Sequence, residues 1–501
     1  MKTLKTLLFT LFIGLVSSCN KDDGKIDFTF LQVNDVYEIA PIQGGKFGGL
    51  ARVETIHQEL LSENKNTMLF MAGDFLNPSL LGTIKYNGDR IRGKQMIEVM
   101  NAMNFDLVSF GNHEFDLSKN DLQKRLNEST FEWISANVRQ KLAGTTYPFY
   151  SQRKGIKHFV PDSFIKEFED EDGTRIKVGF ISVCIDSNPK SYVQYNDIYK
   201  EAMRSYTSLK ENVDIIFGLT HVSIEQDKKI AAMLPNIPLI MGGHEHTNMS
   251  IPVGTSKITK ADANAKTVYI HKVSYDKRTK KAIITSDLKE VNEKISSDKK
   301  VAKIVDKWQV ILKSKIRDII KNPEAVIFTA KIPLEARDTP IRSVQTNMGE
   351  IITKAMSFGY DNIVDCALVN GGSIRIDDVL KDEITAVDIF RVLPYGGSVL
   401  KVELQGGLLK KVLDFGENSA GKGSYLQRYN VEKVGGKWQV KNQEIIDKKI
   451  YTVAFSDYLL KGYDIPFLST KNKEVISVYY PKRDEKSYDI RKTIIEYLKT
   501  L

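Results

Sequence analysis

The side chains of this sequence that can do chemistry lie in five short segments, each at the end of an apolar run. The densest segment holds Asn112, His113, Glu114 and Asp116, an amide, an imidazole and two carboxylates within five positions. Such a group can bind metal ions and transfer protons. Four of the seven histidines lie in these segments, a grouping that chance rarely produces. The five segments are residues 34–37, 73–74, 111–116, 220–221 and 242–246.

The residue types of these segments suit a pair of divalent metal ions. A carboxylate can bridge two ions that lie a few Å apart, and Asp74 suits that role. Imidazoles and an amide oxygen complete the ligand sets without making the site too anionic. A metal pair polarises a phosphoryl oxygen, lowers the pKa of a bound water and holds the attacking and leaving oxygens in line. The remaining histidines, His57, His158 and His271, are expected to be structural.

Alternating strands and helices are predicted to position the five segments. Ligands of α/β sheets bind at the carboxyl ends of the strands, where these segments stand. The alternation therefore predicts a layered α/β domain. Predicted strands lie at 28–33, 68–72, 105–110, 178–185, 213–219, 237–241, 268–273 and 282–286, with helices at 50–61 and 95–103.

A long amphipathic helix is predicted over residues 301–320, where apolar residues recur at a spacing of three and four. Asn322 and Pro323 end it, and we interpret it as a connector between two domains. Beyond it the chain contains several glycine pairs. Paired glycines let a backbone approach a ligand, and an arginine offers a planar fork for phosphate. From the residues alone, Gly371-Gly372-x-x-Arg375 fits either a phosphate site or a structural turn with a solvated arginine.

Composition limits the class of protein. The chain has 501 residues, enough for two or three domains, with 42% hydrophobic and 27% charged residues. The net charge of +9 comes from 72 basic and 63 acidic residues, interspersed rather than gathered in basic blocks with aromatic residues. No nucleic-acid polymer is therefore expected as a partner. Cys184 and Cys366 are interpreted as small buried hydrophobic residues.

The N-terminus is predicted to be a targeting segment. Lys2 and Lys5 precede an apolar run at residues 7–16 that is too short to span a bilayer. The following Val-Ser-Ser-Cys19 resembles the bacterial lipoprotein signal, which implies a signal peptide at 1–18, lipid modification of Cys19 and a tether at 19–25. The protein would then be anchored to a membrane of the cell envelope, facing the periplasm or the cell surface. A plain secretory signal remains the alternative.

The five segments, in this order, resemble the calcineurin-like metallophosphoesterases, and the second half resembles the C-terminal domain of the 5′-nucleotidase family. This resemblance implies a four-layer α/β/β/α domain at 26–295, a linker helix at 296–323 and a smaller mixed α/β nucleotide-binding domain at 324–501, α+β overall. It also implies two divalent ions, Zn, Mn, Co or Mg, with Asp74 as the bridging ligand. The implied ligands are Asp35, Asp74, Asn112, His221, His244 and His246.

The resemblance also assigns catalytic residues, with one departure. His113 would stabilise charge on the phosphoryl group or protonate the leaving oxygen, and Asp116 would orient it. The family usually has Asp-x-His in the first segment, but this chain has Asp35-Val36-Tyr37. Tyr37 would either bind the metal as a phenolate or hydrogen-bond a metal-bound water.

The second half would bind the nucleotide. The implied phosphate-binding arginines are Arg342 and Arg375, with Arg337 as a third, and Asn370 and Gly372 would contact the base or ribose. Tyr395 resembles the aromatic residue that stacks on the base, which contributes roughly 1–3 kcal/mol. For the opposite face, Phe467 is the first candidate and Tyr463 the second.

These assignments predict an enzyme that hydrolyses nucleoside 5′-monophosphates by attack of metal-activated water on phosphorus. A phosphodiesterase of 2′,3′-cyclic nucleotides and a hydrolase of UDP-sugars or other nucleotide pyrophosphates remain alternatives, because the same metal site serves them. A surface nucleotide-binding lipoprotein with attenuated catalysis is the third possibility, motivated by Tyr37.

Overall fold

The computed structural model describes residues 22–187 and 189–501. The predicted signal peptide and Cys19 lie outside these residues. Within the described chain, no helix combines the length and the apolar character needed to cross a membrane. Cys184 and Cys366 are buried free thiols, as predicted.

Two six-stranded sheets form the N-terminal domain. The central strand Lys25–Val33 pairs in parallel with Thr67–Ala72 and antiparallel with Thr267–Asp276. The first sheet has the order Lys281–Glu290, Thr267–Asp276, Lys25–Val33, Thr67–Ala72, Leu107–Ser109 and Glu132–Ile134. The second sheet has the order Ser163–Glu169, Arg175–Ile181, Ile215–Thr220, Leu239–Gly242, Ser256–Lys260 and Met249–Val253.

The two sheets pack face to face through aromatic side chains. Phe30 of the first sheet meets Phe217 of the second edge to face, with ring centroids 5.1 Å apart. Helices Leu50–Glu63 and Lys94–Ala102 cover the outer face of the first sheet. The helices that cover the second sheet are Ile198–Leu209 and Ile224–Met233. This four-layer arrangement confirms the predicted fold class.

The helix Lys299–Arg317 packs on the N-terminal domain. Asp298 caps the N-terminus of this helix, because its side chain accepts the N–H of Val301. The helix ends at Arg317, three residues earlier than predicted. Trp308 is buried, and its indole N–H donates to Glu98 at 3.0 Å. The predicted connector is therefore part of the outer helical layer, and the chain passes to the C-terminal domain after Arg317.

A five-stranded mixed sheet is the centre of the smaller C-terminal domain. Helices Asn347–Phe358 and Ile490–Leu498 pack together on one face. Helix Gly406–Glu417 and the core around it cover the other face. The strand order is Leu426–Tyr429, Cys366–Asn370, Ile450–Ser456, Val399–Gln405 and Val475–Tyr479.

Smaller pairings complete the described chain. The strands Val326–Glu335 and Val379–Thr385 form a two-stranded ladder that begins the C-terminal domain. Short helices lie at Leu80–Thr83, Lys119–Glu128, Asp338–Ile341 and Ala386–Val392. The other short strands are Lys85–Tyr86, Asp89–Arg90, Val138–Leu142, Thr145–Tyr147, Tyr150–Arg153, Ile156–Phe159, Val193–Tyr195, Val431–Val434, Lys437–Val440 and Gln443–Glu444.

Candidate metal centre and substrate cavity

The five chemistry-bearing segments meet at the carboxyl ends of the central strands, where backbone segments approach closely. A Cβ atom added to Gly111 would lie 2.1 Å from Oδ1 of Asp74, and one on Gly243 would lie 2.2 Å from the carbonyl oxygen of Ala72. Glycine is therefore required at both positions. Asp74 itself has a φ of 55°, a left-handed backbone that is uncommon for other residues than glycine and that clusters at functional sites.

Three buried side chains form the centre of the site. The ligand atoms of Asp35, Asp74 and His221 all lie within 4.8 Å of one another. Nε2 of His221 lies 3.1 Å from Oδ2 of Asp74. Oδ1 of Asp35 and Nε2 of His221 are buried and form no hydrogen bond to any described residue. Because leaving buried polar atoms unpaired is unfavourable, this donor set fits a metal cation.

The histidines present their ring nitrogens as metal ligands do. Nδ1 of His221 donates to the carbonyl oxygen of Ala72 at 2.8 Å, and Nδ1 of His246 donates to the carbonyl oxygen of Asp377 at 2.6 Å. Each bond directs Nε2 of the ring toward the carboxylates of the site, which is the usual arrangement of a metal-binding imidazole. Burial and the neighbouring charge of His221 lower the pKa of His244 to about 4, so its ring is neutral.

Glu114, to which the sequence assigned no definite role, ties two site segments together. Its carboxylate accepts the backbone N–H groups of Asp74, Phe75 and Leu76 at 3.0, 2.8 and 3.1 Å. It also accepts the N–H of Gly111 at 2.6 Å. Burial, followed by the charge of Asp74, raises the pKa of Glu114 to about 7. Glu114 therefore holds the Asp74 loop against the turn Asn112–Asp116.

Tyr37 lies inside the site as a hydrogen-bonding group. Its hydroxyl lies 3.1 Å from Nε2 of His246 and 3.4 Å from Oδ2 of Asp74. Burial and the charges of Asp74 and Asp35 raise its pKa well above 10, which favours the neutral phenol over the phenolate. Of the two roles considered for Tyr37, the structure favours hydrogen bonding.

The carboxylate of Asp116 binds His113 of the N-terminal domain and Arg375 of the C-terminal domain. Nδ1 of His113 and Nη2 of Arg375 each lie 2.8 Å from Oδ2 of Asp116. Burial lowers the pKa of His113, but the charges of Asp74 and Asp116 outweigh this effect and raise it to about 9. The imidazole is therefore protonated on both nitrogens at neutral pH. Its Nε2–H group can donate to a substrate.

A cavity of about 550 Å³ extends from Asp116 between the two domains. Five of the substrate residues that the resemblance implied line this cavity. They are Arg342, Asn370, Gly372, Arg375 and Tyr395. Three further lining residues, Lys190, Tyr458 and Asp464, were not predicted.

Asp464 lies at the centre of a polar network in this cavity. Its carboxylate accepts Nδ2 of Asn370 at 2.7 Å and the hydroxyl of Tyr458 at 3.0 Å. Asp464 directly follows Tyr463, the second stacking candidate, and this adjacency was the signal that could have identified Asp464.

Two of the predicted substrate residues, Arg337 and Phe467, do not line this cavity. Phe467 packs edge to face on Phe415, with centroids 5.6 Å apart, because the chain after Asp464 turns into the apolar core. Arg337 is bound by Glu335 at 2.9 Å and lines a different cavity, beside His246. The second candidate ring, Tyr463, is 73% exposed and lines another surface cavity.

A buried ion pair anchors the loop that carries His244 and His246. Nζ of Lys260 lies 2.9 Å from Oδ2 of Asp227 and 2.5 Å from Oε2 of Glu245, the residue between the two histidines. The Lys260 side chain is 0% exposed. Removing one partner of a buried pair leaves an uncompensated charge, which typically destabilises a protein by about 3–5 kcal/mol.

Lys260→Met is therefore expected to lower the free energy of unfolding by about 3–5 kcal/mol. Urea denaturation followed by circular dichroism measures this change. Lys272→Met is the control, because Lys272 pairs with Glu63 at 2.9 Å while 55% exposed. The Lys272→Met substitution should lower the free energy of unfolding by less than about 1 kcal/mol. Equal losses in the two variants would contradict the anchoring role of Lys260.

The fold and the site together define a metal-dependent phosphoester hydrolase. Residues 28–248 match the family model of the calcineurin-like phosphoesterases, which use two divalent metal ions. Residues 326–470 match the model of the 5′-nucleotidase C-terminal domain. The chain belongs to the family that combines these two domains.

Individual relatives cover most of the chain. The 5′-nucleotidase of Homo sapiens is 27% identical in an alignment 466 residues long, which covers 83% of this chain and 77% of that protein. The trifunctional nucleotide phosphoesterase YfkN of Bacillus subtilis is 26% identical, over 82% of this chain and 29% of that protein. Among solved structures, a 5′-nucleotidase precursor from Thermus thermophilus has a TM-score of 0.66 and 21% identity, covering 95% and 96% of the two chains. This last likeness concerns the fold.

Proposed function

We propose that this protein hydrolyses nucleoside 5′-monophosphates to nucleosides and orthophosphate. The observation that carries the proposal is the shared cavity, in which Arg342, Arg375 and Tyr395 of the C-terminal domain face the Asp116–His113 pair beside the metal centre. A cavity lined by both cations and aromatic rings suits a phosphate attached to a base. The similarity to the human 5′-nucleotidase supports the same substrate class.

Each group of the cavity has a role in this reaction. Arg342 and Arg375 bind the phosphate oxygens, and Arg375 is already in place through its bond to Asp116. Nε2 of His113 donates its proton to the leaving 5′-oxygen, while the Nδ1–H group of the same ring continues to donate its hydrogen bond to Asp116. Bound divalent ions supply charge stabilisation at the phosphoryl group and activation of water.

Hydrolysis of a substrate panel, with the products separated by chromatography, tests the proposal. Purified protein is incubated with AMP, UMP, 2′,3′-cyclic AMP and UDP-glucose, each with Mn²⁺, Zn²⁺, Co²⁺ or Mg²⁺. The monophosphates are expected to give the highest kcat/KM. Hydrolysis of none of the substrates, with tight nucleotide binding, would overturn the proposal in favour of a binding protein.

Phosphodiester or pyrophosphate hydrolysis is the second candidate function. Lys190 adds a cation from the N-terminal domain to a cavity that already contains Arg342 and Arg375. A third cation suits a substrate with more than one phosphate. The similarity to the trifunctional nucleotide phosphoesterase supports this candidate. A higher kcat/KM for UDP-glucose or cyclic AMP than for AMP would establish it.

Tyr395→Ala is expected to raise the KM for AMP by about 5–150-fold, because base stacking contributes about 1–3 kcal/mol. Hydrolysis of glycerol 2-phosphate, which has no base, should not change. Steady-state kinetics on both substrates measures the difference. Tyr463→Ala is the matched control, since both tyrosines are exposed, at 58% and 73%, but Tyr463 lines another cavity. If only Tyr463→Ala raises the KM for AMP, Tyr463 and not Tyr395 is the residue that stacks on the base.

We also propose that Cys19 carries a lipid that anchors the protein to the cell envelope. The charged start, short apolar run and Val-Ser-Ser-Cys sequence of residues 1–19 support this proposal. Mass spectrometry of the N-terminal peptide should show acyl chains on Cys19, and Cys19→Ser should move the protein from the detergent phase to the aqueous phase. An unmodified N-terminal peptide would contradict the anchor.

A further inference from the structure

Asp377 brings a carboxylate of the C-terminal domain to the metal centre. It lies two residues after Arg375 and just before the strand Val379–Thr385. Its carbonyl oxygen accepts Nδ1 of His246, and its Oδ2 lies 3.3 Å from Nε2 of the same ring. The Asp377 side chain is 14% exposed. One residue of the second domain therefore contacts both nitrogens of a metal-ligand candidate of the first.

Three oxygen atoms surround Nε2 of His246. The hydroxyl of Tyr37 lies at 3.1 Å, Oδ2 of Asp377 at 3.3 Å and Oδ1 of Asp35 at 3.4 Å. Ligands that bind one ion at about 2.0–2.2 Å lie about 3–4 Å from their neighbours in the ligand set. The spacings around Nε2 match this range.

The ligand set also explains why a carboxylate is useful here. Tyr37 stands where the family resemblance places an imidazole, and its hydroxyl is engaged with His246 and Asp74. The ligand set beside His246 therefore has one imidazole fewer than the family pattern. We propose that Asp377 completes this set, as a ligand to the metal ion held by Asp35 and His246.

This assignment makes the two metal positions unequal. The position formed by Asn112, His221 and His244 lies wholly in the N-terminal domain. The other is complete only while the domains pack as in this structure, where Lys266 and Asp378 also pair at 3.1 Å. Its oxygen-rich ligand set favours Mn²⁺ or Mg²⁺ over Zn²⁺.

Titration of the metal-free full-length protein with Mn²⁺, followed by electron paramagnetic resonance and elemental analysis, tests the proposal without any substrate. Asp377→Asn keeps an oxygen for the N–H of Asp338, which Asp377 binds at 2.7 Å, and tolerates the backbone φ of 47°. It removes the charge and should weaken one of two bound Mn²⁺ ions by at least about tenfold. Asp377→Gly, which also suits this φ, removes both side-chain oxygens and should weaken that ion further.

Asp378→Asn is the matched control, because it weakens the pair with Lys266 across the same interface and leaves Asp377 intact. This variant should bind both ions with wild-type affinity. Wild-type affinity for both ions in the two Asp377 variants would overturn the proposal, and so would equal weakening of both ions. Weakening of one ion by Asp378→Asn to the same extent would assign the effect to domain packing instead. These readouts do not depend on which phosphoester is cleaved.

Discussion

Asp74→Asn is expected to lower kcat for phosphate release by about 10³-fold. Charge stabilisation by the metal centre is worth several kcal/mol in the transition state, and each 1.36 kcal/mol is a factor of ten. The carboxylate of Asp74 lies within 4.8 Å of the ligand atoms of both Asp35 and His221. Phosphate release at saturating AMP, with bound metal measured by elemental analysis, gives the result.

Asparagine is the informative replacement because its oxygen can still accept the N–H of His113, which Oδ1 of Asp74 binds at 2.7 Å. The loss should therefore come from metal binding rather than from unfolding. Asp106→Asn is the control, since Oδ2 of Asp106 accepts the N–H of Leu69 at 2.8 Å, a similar bond far from the site. Full metal content and activity in the Asp74 variant would refute its bridging role.

His113→Gln is expected to lower kcat by about 10²–10⁴-fold while leaving metal content and stability nearly unchanged. Proton transfer by a positioned side chain contributes a factor of this size. The carboxylates of Asp74 and Asp116 raise the pKa of His113, so the wild-type ring is protonated and able to donate at neutral pH. Deprotonation of His113 should produce the alkaline decline of the wild-type rate, and the variant should lose that decline.

A substrate with a good leaving group provides the control for His113. 4-Nitrophenolate departs without protonation, so the variant should hydrolyse 4-nitrophenyl phosphate with a much smaller loss than AMP. His158→Gln, at an exposed strand position, should leave both rates unchanged. An equal loss on both substrates would show that His113 stabilises phosphoryl charge rather than donating a proton.

Much of the fold followed from local patterns. The apolar runs at 28–33 and 68–72 became the strands Lys25–Val33 and Thr67–Ala72, because central strands are buried on both faces and read as continuous apolar stretches. The helix predicted at 301–320 forms as Lys299–Arg317, and its apolar face packs on the helices Leu50–Glu63 and Lys94–Ala102 of the N-terminal domain. Periodicity predicts that a face is buried and leaves open what covers it.

The substrate cavity shows where local reasoning ends. Tyr458 and Phe467 are both aromatic and lie in the same segment of the sequence. Tyr458 lines the cavity and donates to Asp464, whereas Phe467 lies on the core beside Phe415. The difference is the direction in which each side chain leaves the backbone after a turn, which residue type alone does not determine.

The sequence by itself determined the class of chemistry. Asp35, Asp74, Asn112 and His221 each stand where a strand ends, and strand ends share one edge of a sheet, so residue type and position sufficed. The tertiary structure alone decided what crosses between domains. Asp377 reaches His246 across 131 positions of chain, and such a contact depends on how two separately folded units pack, which no local pattern encodes.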